Sequence, residues 1–419
     1  MIVIVSLILC LFLLLVVRAV VKDIKSPPFI LAAIWVIIYS SVFIYWNGII
    51  DLNDYLYGIY FLGLFIFILG FSLIGNRRGI IHVRDGERKT NLKFSILFLQ
   101  LFFVLAVVFV SLNIYQVYRF IELHQIKFNF WQTLGEARSR GEYVIPFYIA
   151  YSRSPVIILT ILLGTVYFSN PIKQNKIYFI LFLVLSVIYG ILVTNRGAIF
   201  LLIISLLFSY LYIKNFDNQR LFKIFVRTAI VILSIFILSS FAKFVYQDQS
   251  DTVNFINFHL RAYFANPPVA FIEWYKLDEP LKHGTNSFRF FYAIFESFGG
   301  PKVEDTVQDY IKIADTKTNV YTIFQYYTAD FGLWYSMLVL LILGILYGYL
   351  YKKVRYSKEF NIFNHCLLAM LYFPLVYHYF SDTYLSQLSS WIQNIIWLWL
   401  FSRREFLFTT KHEKEVIHG

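Results

Sequence analysis

YGIYFLGLFIFILGFSLIG (57–75), NRRGIIHVRDGERKTNLK (76–93) and FSILFLQLFFVLAVVFVSLN (94–113) follow one another without a gap. The first and third pieces are apolar over about the 20 residues that a helix needs to cross a bilayer. The middle piece carries Arg77, Arg78, Arg84, Arg88, Lys89 and Lys93. Short loops this basic stay cytoplasmic during insertion, so the three pieces read as span, inner loop, span. Working outward from them gives eleven spanning candidates, starting near residues 2, 28, 54, 94, 145, 177, 198, 225, 332, 362 and 385. The expected fold is all-α: one polytopic membrane domain over 1–419, with the amino terminus outside and the carboxyl terminus inside.

Composition agrees with that reading. Hydrophobic residues make up 59% and charged residues 15%, against about 25% charge in a soluble domain, which excludes an ordinary soluble enzyme. The net charge of +12 reflects basic inner loops and attraction to anionic lipid headgroups. Nucleic-acid binding would need a soluble basic domain, and none is present. Met1 to Val17 has no basic residue before it and no small-residue cleavage site, so it reads as a retained helix. Cys10 and Cys366 both lie in apolar runs and read as packing residues.

Two outer segments are too long for simple connectors: 114–144, and 247–328, which is expected to carry much of the site. The second keeps Phe258, Phe264, Phe271, Trp274, Phe291 and Phe295, so helices lying on or dipping into the membrane surface are expected there. Seven arginines fall on the outer side or in the outer half of spans: Arg119, Arg138, Arg140, Arg153, Arg196, Arg261 and Arg289. The positive-inside rule disfavours that placement. Arginine grips phosphate through a planar fork that stays charged, so the set suggests a lipid diphosphate ligand.

Arg196 stands in the tight turn Thr194-Asn195-Arg196-Gly197; snorkelling is the structural alternative. Arg153 lies about 12 Å into a span, before Pro155, and either binds a buried anion or ties down a broken helix. His259, Arg261 and Tyr263 alternate, and Pro267-Pro268 is expected to break any helix after them. An extended strand would align the three; a helix would make them diverge. Asp330, before Phe331-Gly332, can cap the following span or act as a general base. Asp51 and Asp54 have the spacing of a metal-binding acidic pair, a spacing that is also common by chance.

The chain has no Gly-rich phosphate loop ending in Lys-Ser/Thr, no His-Glu-x-x-His and no Gly-x-Ser-x-Gly, so an ATP-driven pump or zinc protease is not expected. Asn195-Arg196-Gly197 opening a span, Tyr263 through Pro267-Pro268-Val269-Ala270-Phe271, and Asn319-Val320-Tyr321-Thr322 leading to Asp330-Phe331-Gly332 give the chain a likeness. With Tyr57 to Gly70 before Gly75-Asn76-Arg77, it resembles the bacterial O-antigen polymerase (Wzy) family, in its oligosaccharide repeat unit polymerase branch.

That resemblance implies a fold related to C-type membrane glycosyltransferases, acting on undecaprenyl-diphosphate-linked oligosaccharide at the outer face of the bacterial inner membrane. It implies no cofactor and no metal, membrane lipids as surroundings, and a chain-length-regulating copolymerase as a candidate partner. Arg196, Arg261 and Arg289, then Arg138 and Arg153 with Tyr263, are the expected diphosphate or substrate contacts. His259 and Asp330 are the candidate bases. Arg289 and Arg153 are each followed eleven positions later by glycine, Gly300 and Gly164, a spacing some family members carry. An O-antigen ligase, a flippase without chemistry, and a C-type transferase using a monophosphate donor and Asp51 or Asp54 are the alternatives.

Overall fold

A computed structural model describes residues 2–75, 92–124, 145–193, 196–214, 216–244, 257–300, 308–314, 316–357, 359–403 and 405–409, with 133–134, 137, 142–143 and 303 between them. The chain is a polytopic, all-α membrane protein. Among the described residues, a helix stands at each of the eleven positions read from the sequence: α1 (Ile2–Val21), α2 (Pro27–Trp46), α3 (Tyr57–Gly75), α4 (Ile96–Leu123), α5 (Phe147–Ser169), α6 (Lys173–Leu192), α7 (Arg196–Ile213), α8 (Asn218–Phe244), α12 (Leu333–Arg355), α13 (Ile362–Tyr377) and α14 (Leu388–Phe401). Seven of these, α1 to α6 and α12, are long and apolar enough to cross a membrane. Shorter helices α9 (Asn266–Tyr275), α10 (Arg289–Ser297) and α11 (Ile323–Phe331) lie between α8 and α12, after a π-helical turn at Arg261–Ala265. Two short antiparallel pairs complete the chain: β1 (Leu92–Phe94) with β4 (Leu407–Thr409), and β2 (Ile311–Ile313) with β3 (Thr316–Thr318).

The chain divides into two compact units. Unit 1 takes Met1–Ile81, Ser250–Ser357 and Pro374–Trp391; unit 2 takes His82–Gln249, Lys358–Phe373 and Ile392–Gly419.

In unit 1, α3 lies directly against α12. A side chain at Gly70 would meet the carbonyl oxygen of Leu341, one at Gly344 that of Phe67, and one at Gly348 that of Phe71. Glycines on both helices let the backbones touch, as small residues do between membrane helices that have no hydrophobic drive to associate. Beside this contact sits an aromatic cluster. Trp35 stacks on Tyr60 with centroids 4.8 Å apart, and Phe324 meets Tyr60 edge-on at 5.1 Å. Their polar tips are satisfied inside: Tyr60 donates to the Pro268 carbonyl and Tyr39 to the Tyr57 carbonyl, both at 2.6 Å.

In unit 2, α5 is the central helix, buried along almost its whole length. Hydroxyls bridge it to its neighbours: Ser152 to Tyr189 at 2.6 Å, Thr160 to Ser186 at 2.7 Å, and Thr165 to Ser209 at 2.7 Å. Cys366 packs against Thr165 at 3.3 Å, in keeping with a packing role. Pro155 stands inside α5, which runs on through it, so the broken helix expected at Arg153 is not found. Helix α4 also exceeds expectation, reaching Leu123, well into the segment read as an outer loop. The apolar stripe continues there: Val117 and Phe120 pack with Leu134, Ala137 and Tyr143.

Candidate functional site

The residues from 257 to 275 form one helical stretch with a π turn in its middle. The sequence led to the expectation that Pro267-Pro268 would end a helix, and the structure corrects this. Both prolines sit in the first turn of α9, where proline is tolerated. Upstream, proline cannot take the bonds that the carbonyls of Tyr263 and Phe264 would ordinarily receive. The chain widens instead, and Asn266 N–H reaches five residues back to the Arg261 carbonyl. Such π bulges occur frequently at functional sites.

The widened turn sorts the three alternating residues. His259 and Tyr263, four apart, share a face and stack with centroids 6.0 Å apart and planes at 14°. Tyr263 then stacks on Phe380 at 5.2 Å, and Phe264 on Tyr379 at 5.8 Å. Arg261 points elsewhere: its guanidinium lies 4.0 Å from the Trp46 ring centroid at the end of α2. This is the helical alternative, in which the three diverge. The result is half-buried imidazole and phenol rings in one column, with a cation on an aromatic face beside them.

Asp330 takes a structural part that the sequence did not show. It is fully buried in α11. Its Oδ1 accepts from Asn286 N and Nδ2, both at 3.1 Å, and its Oδ2 from Ser287 N at 2.6 Å. It does not cap α12, whose N-cap is Gly332 at φ +83. The carboxylate pins the loop that leads into α10, and Arg289 is the first residue of that helix. Asn286 also accepts from Gln308 at 3.3 Å, and Gln308 from Gln325 at 3.1 Å, so an amide chain backs the carboxylate. Helix α10 has no buried residue and exposes Phe291, Ile294 and Phe295, as an interfacial helix requires.

The remaining arginines belong elsewhere. Arg153 is half-buried in α5 of unit 2, next to the Ser152–Tyr189 hydrogen bond. Arg196 opens α7, also in unit 2, and its side chain lies outside the described residues. Arg138 and Arg140 lie outside them as well.

In the loop before α3, Asp54 Oδ2 pairs with Lys276 Nζ at 3.2 Å, and Glu273 pairs with the same ammonium at 2.8 Å. Burial lowers the Lys276 pKa, but the hydrogen bonds and charge of Glu273 and Asp54 outweigh it and leave it raised. Asp51 Oδ1 accepts from Asn53 N at 2.8 Å. The two acids therefore hold turns and an ion pair. Among the described residues, no group of three or more His, Cys, Asp or Glu is placed to hold a metal. Tyr321 donates to the Asp309 carbonyl at 2.8 Å, and burial, with the Asp309 and Glu279 carboxylates, pushes its phenol up.

One polar cluster escaped the sequence reading. The connection 378–387 between α13 and α14 folds back into unit 1. Tyr384 Oη meets Tyr347 Oη at 2.8 Å, and Tyr347 lies about 21 Å along α12 from Leu333 at 1.5 Å per residue. The connection lies in the protein interior: His378, Asp382, Thr383 and Tyr384 are all buried. Asp382 accepts from Tyr327 Oη at 2.9 Å and from the amides of Tyr384 and Ser386, both at 2.8 Å. His378 Nδ1 donates to the Leu375 carbonyl at 2.7 Å. The available signal was the polar interruption His378-Tyr379-Phe380-Ser381-Asp382-Thr383 between two apolar runs, which hydropathy alone reads as a surface loop.

No family model, no curated protein and no solved structure matches this chain.

Proposed function

We propose that the protein is a polysaccharide polymerase of the bacterial inner membrane, with all eleven long helices crossing the bilayer and a fold akin to C-type glycosyltransferases. It would transfer a growing glycan from undecaprenyl diphosphate to a new lipid-linked repeat unit at the outer face. Besides the likeness of Asn195-Arg196-Gly197, 263–271 and 319–332 to that family, one arrangement supports the reading: the π turn that holds His259, Arg261 and Tyr263.

In this reaction a hydroxyl of the acceptor sugar attacks the anomeric carbon of the growing chain. The bond from that carbon to the diphosphate oxygen breaks, and its electron pair leaves with undecaprenyl diphosphate. The hydroxyl proton passes to His259, the candidate base left once Asp330 is engaged by three donors. Arg261 and Arg289 would neutralise the departing charge, which lowers the barrier to the extent that such cations are preorganised. Tyr263, stacked between His259 and Phe380, holds the imidazole in position.

The exporter reading is favoured by a separate observation. Polar groups continue inward along α12, from the Tyr384–Tyr347 pair to Tyr351, which donates to Asp23 at 2.9 Å, and Arg355, 3.6 Å from Asp23.

One assay separates these. Purified protein in vesicles is supplied with undecaprenyl-diphosphate-linked repeat units alone. A ladder of longer glycans, reduced about 100-fold or more in His259→Gln and lost in Arg261→Ala while the variants stay folded, is the expected result. Movement of unextended units across the bilayer would replace the polymerase with an exporter. Transfer only when lipid A core is added would make it a ligase.

A further inference from the structure

We propose that a groove between α4 and α6 binds an anionic phospholipid of the cytoplasmic leaflet. The groove lies wholly in unit 2 and holds about 540 Å3. Its two helices start at the same end, at Ile96 and Lys173, and line it as far as Val104 and Leu181. Eight residues of helix cover about 12 Å, close to the half-thickness of a hydrocarbon core of roughly 30 Å. The groove is therefore one leaflet deep. It opens toward lipid: Val104 and Ile177 are exposed side chains on its walls.

Polar groups stand at two levels. At the mouth is Lys173, with Lys176 three residues on; both are exposed. Strand β1 is held at the start of α6, because Asn170 Nδ2 donates to the Leu92 carbonyl at 3.3 Å and Gln174 Nε2 to the Phe94 carbonyl at 3.4 Å. No acidic residue occurs in 92–104 or 173–181. One turn deeper, about 6 Å below Ile96, Gln100 is exposed on the lipid-facing wall. Among the described residues it has no hydrogen-bond partner.

An amide facing hydrocarbon is costly unless something accepts its N–H groups. A phospholipid supplies both levels at once: a phosphate for the lysines, and glycerol ester carbonyls one turn lower for Gln100. Its acyl chain then lies between Phe103 and Tyr178. Basic pockets between helices on the cytoplasmic side are the recognised setting for anionic headgroups. The leaflet follows from the chain itself, since α4 emerges directly from the basic piece 76–93.

Native mass spectrometry of the purified, delipidated full chain tests this, with equimolar phosphatidylglycerol and phosphatidylcholine of matched acyl chains. The expected result is preferential retention of phosphatidylglycerol, at about fivefold per engaged lysine. The preference should fall toward unity in the double variant Lys173→Gln, Lys176→Gln, and Val104→Trp, which fills the groove, should lose bound lipid. Equal retention of the two lipids by wild type overturns the proposal. So does a preference that survives the double variant, whose surface substitutions leave the fold intact even where Val104→Trp fails to fold. The outcome does not depend on whether the protein polymerises glycans.

Discussion

The two units are built from the same kind of apolar helix, yet they place small and polar residues in opposite ways. In unit 1, regular helices touch through glycine, at Gly70, Gly344 and Gly348, and polar side chains gather where the backbone is irregular: the π turn, the loop pinned by Asp330, and the connection around Asp382. In unit 2, the helices stay regular and hydroxyls bridge them at Ser152, Thr160 and Thr165. A seam of hydroxyls between regular helices is glue, and each bond in it contributes little. Buried irregular backbone persists only when its surroundings over-determine it, and such places cluster at functional sites. This contrast is the reason for proposing that glycan transfer takes place in unit 1.

Breaking the glycine contact should have the largest effect. Gly344→Val forces a side chain into the Phe67 carbonyl, which belongs to a helix backbone and cannot turn away, so a loss of about 3 kcal/mol is expected in thermal unfolding. In unit 2, Gly164→Ala meets the tip of Leu206, a side chain that can swing aside, and should cost about 1 kcal/mol or less. Equal losses at the two sites would remove the contrast. Asp382→Asn comes next. The amide keeps one acceptor but turns an NH2 toward backbone donors, an expected loss of about 2 kcal/mol. If Asp382 only held its turn, stability alone would fall; loss of glycan elongation or lipid movement at temperatures where the variant is folded would tie the connection to function.

How much of this was legible depended on which physical signal carried it. Every long helix was readable, because a span is announced by some 20 apolar residues and the basic piece 76–93 sets the alternation. The exposed aromatic face of α10 was readable from Phe291 and Phe295 around a lone Arg289. The π turn was not, since Pro267-Pro268 signals an interrupted ladder equally whether the chain breaks or widens. Asp330 was misread because the sequence placed it beside a helix start, while its donors, Asn286 and Ser287, are more than forty residues away. Burial was hidden as well: hydropathy gives His378 to Thr383 the profile of a surface loop, while the structure buries it and joins Tyr384 to Tyr347.

The smaller effects sharpen the comparison further. Thr160→Val, isosteric in shape, removes one bridge of the unit 2 seam and should cost about 0.6 kcal/mol. A loss several times larger would mean that the seam is a cooperative network. The smallest effect is expected at Lys276, which ties Asp54 and Glu273 together at the edge of unit 1 but is almost half exposed. Screening by solvent limits Lys276→Met to about 0.5 kcal/mol at neutral pH. The sign with pH follows from the raised pKa: the ammonium's contribution is fully present below the unfolded value of 10.5 and fades as pH rises through the higher folded value. Wild type and Lys276→Met should therefore converge in stability in strong alkali. They should converge at high salt as well, because the pair is within reach of solvent ions. A difference that persisted in both conditions would show that the lysine stem matters more than its charge.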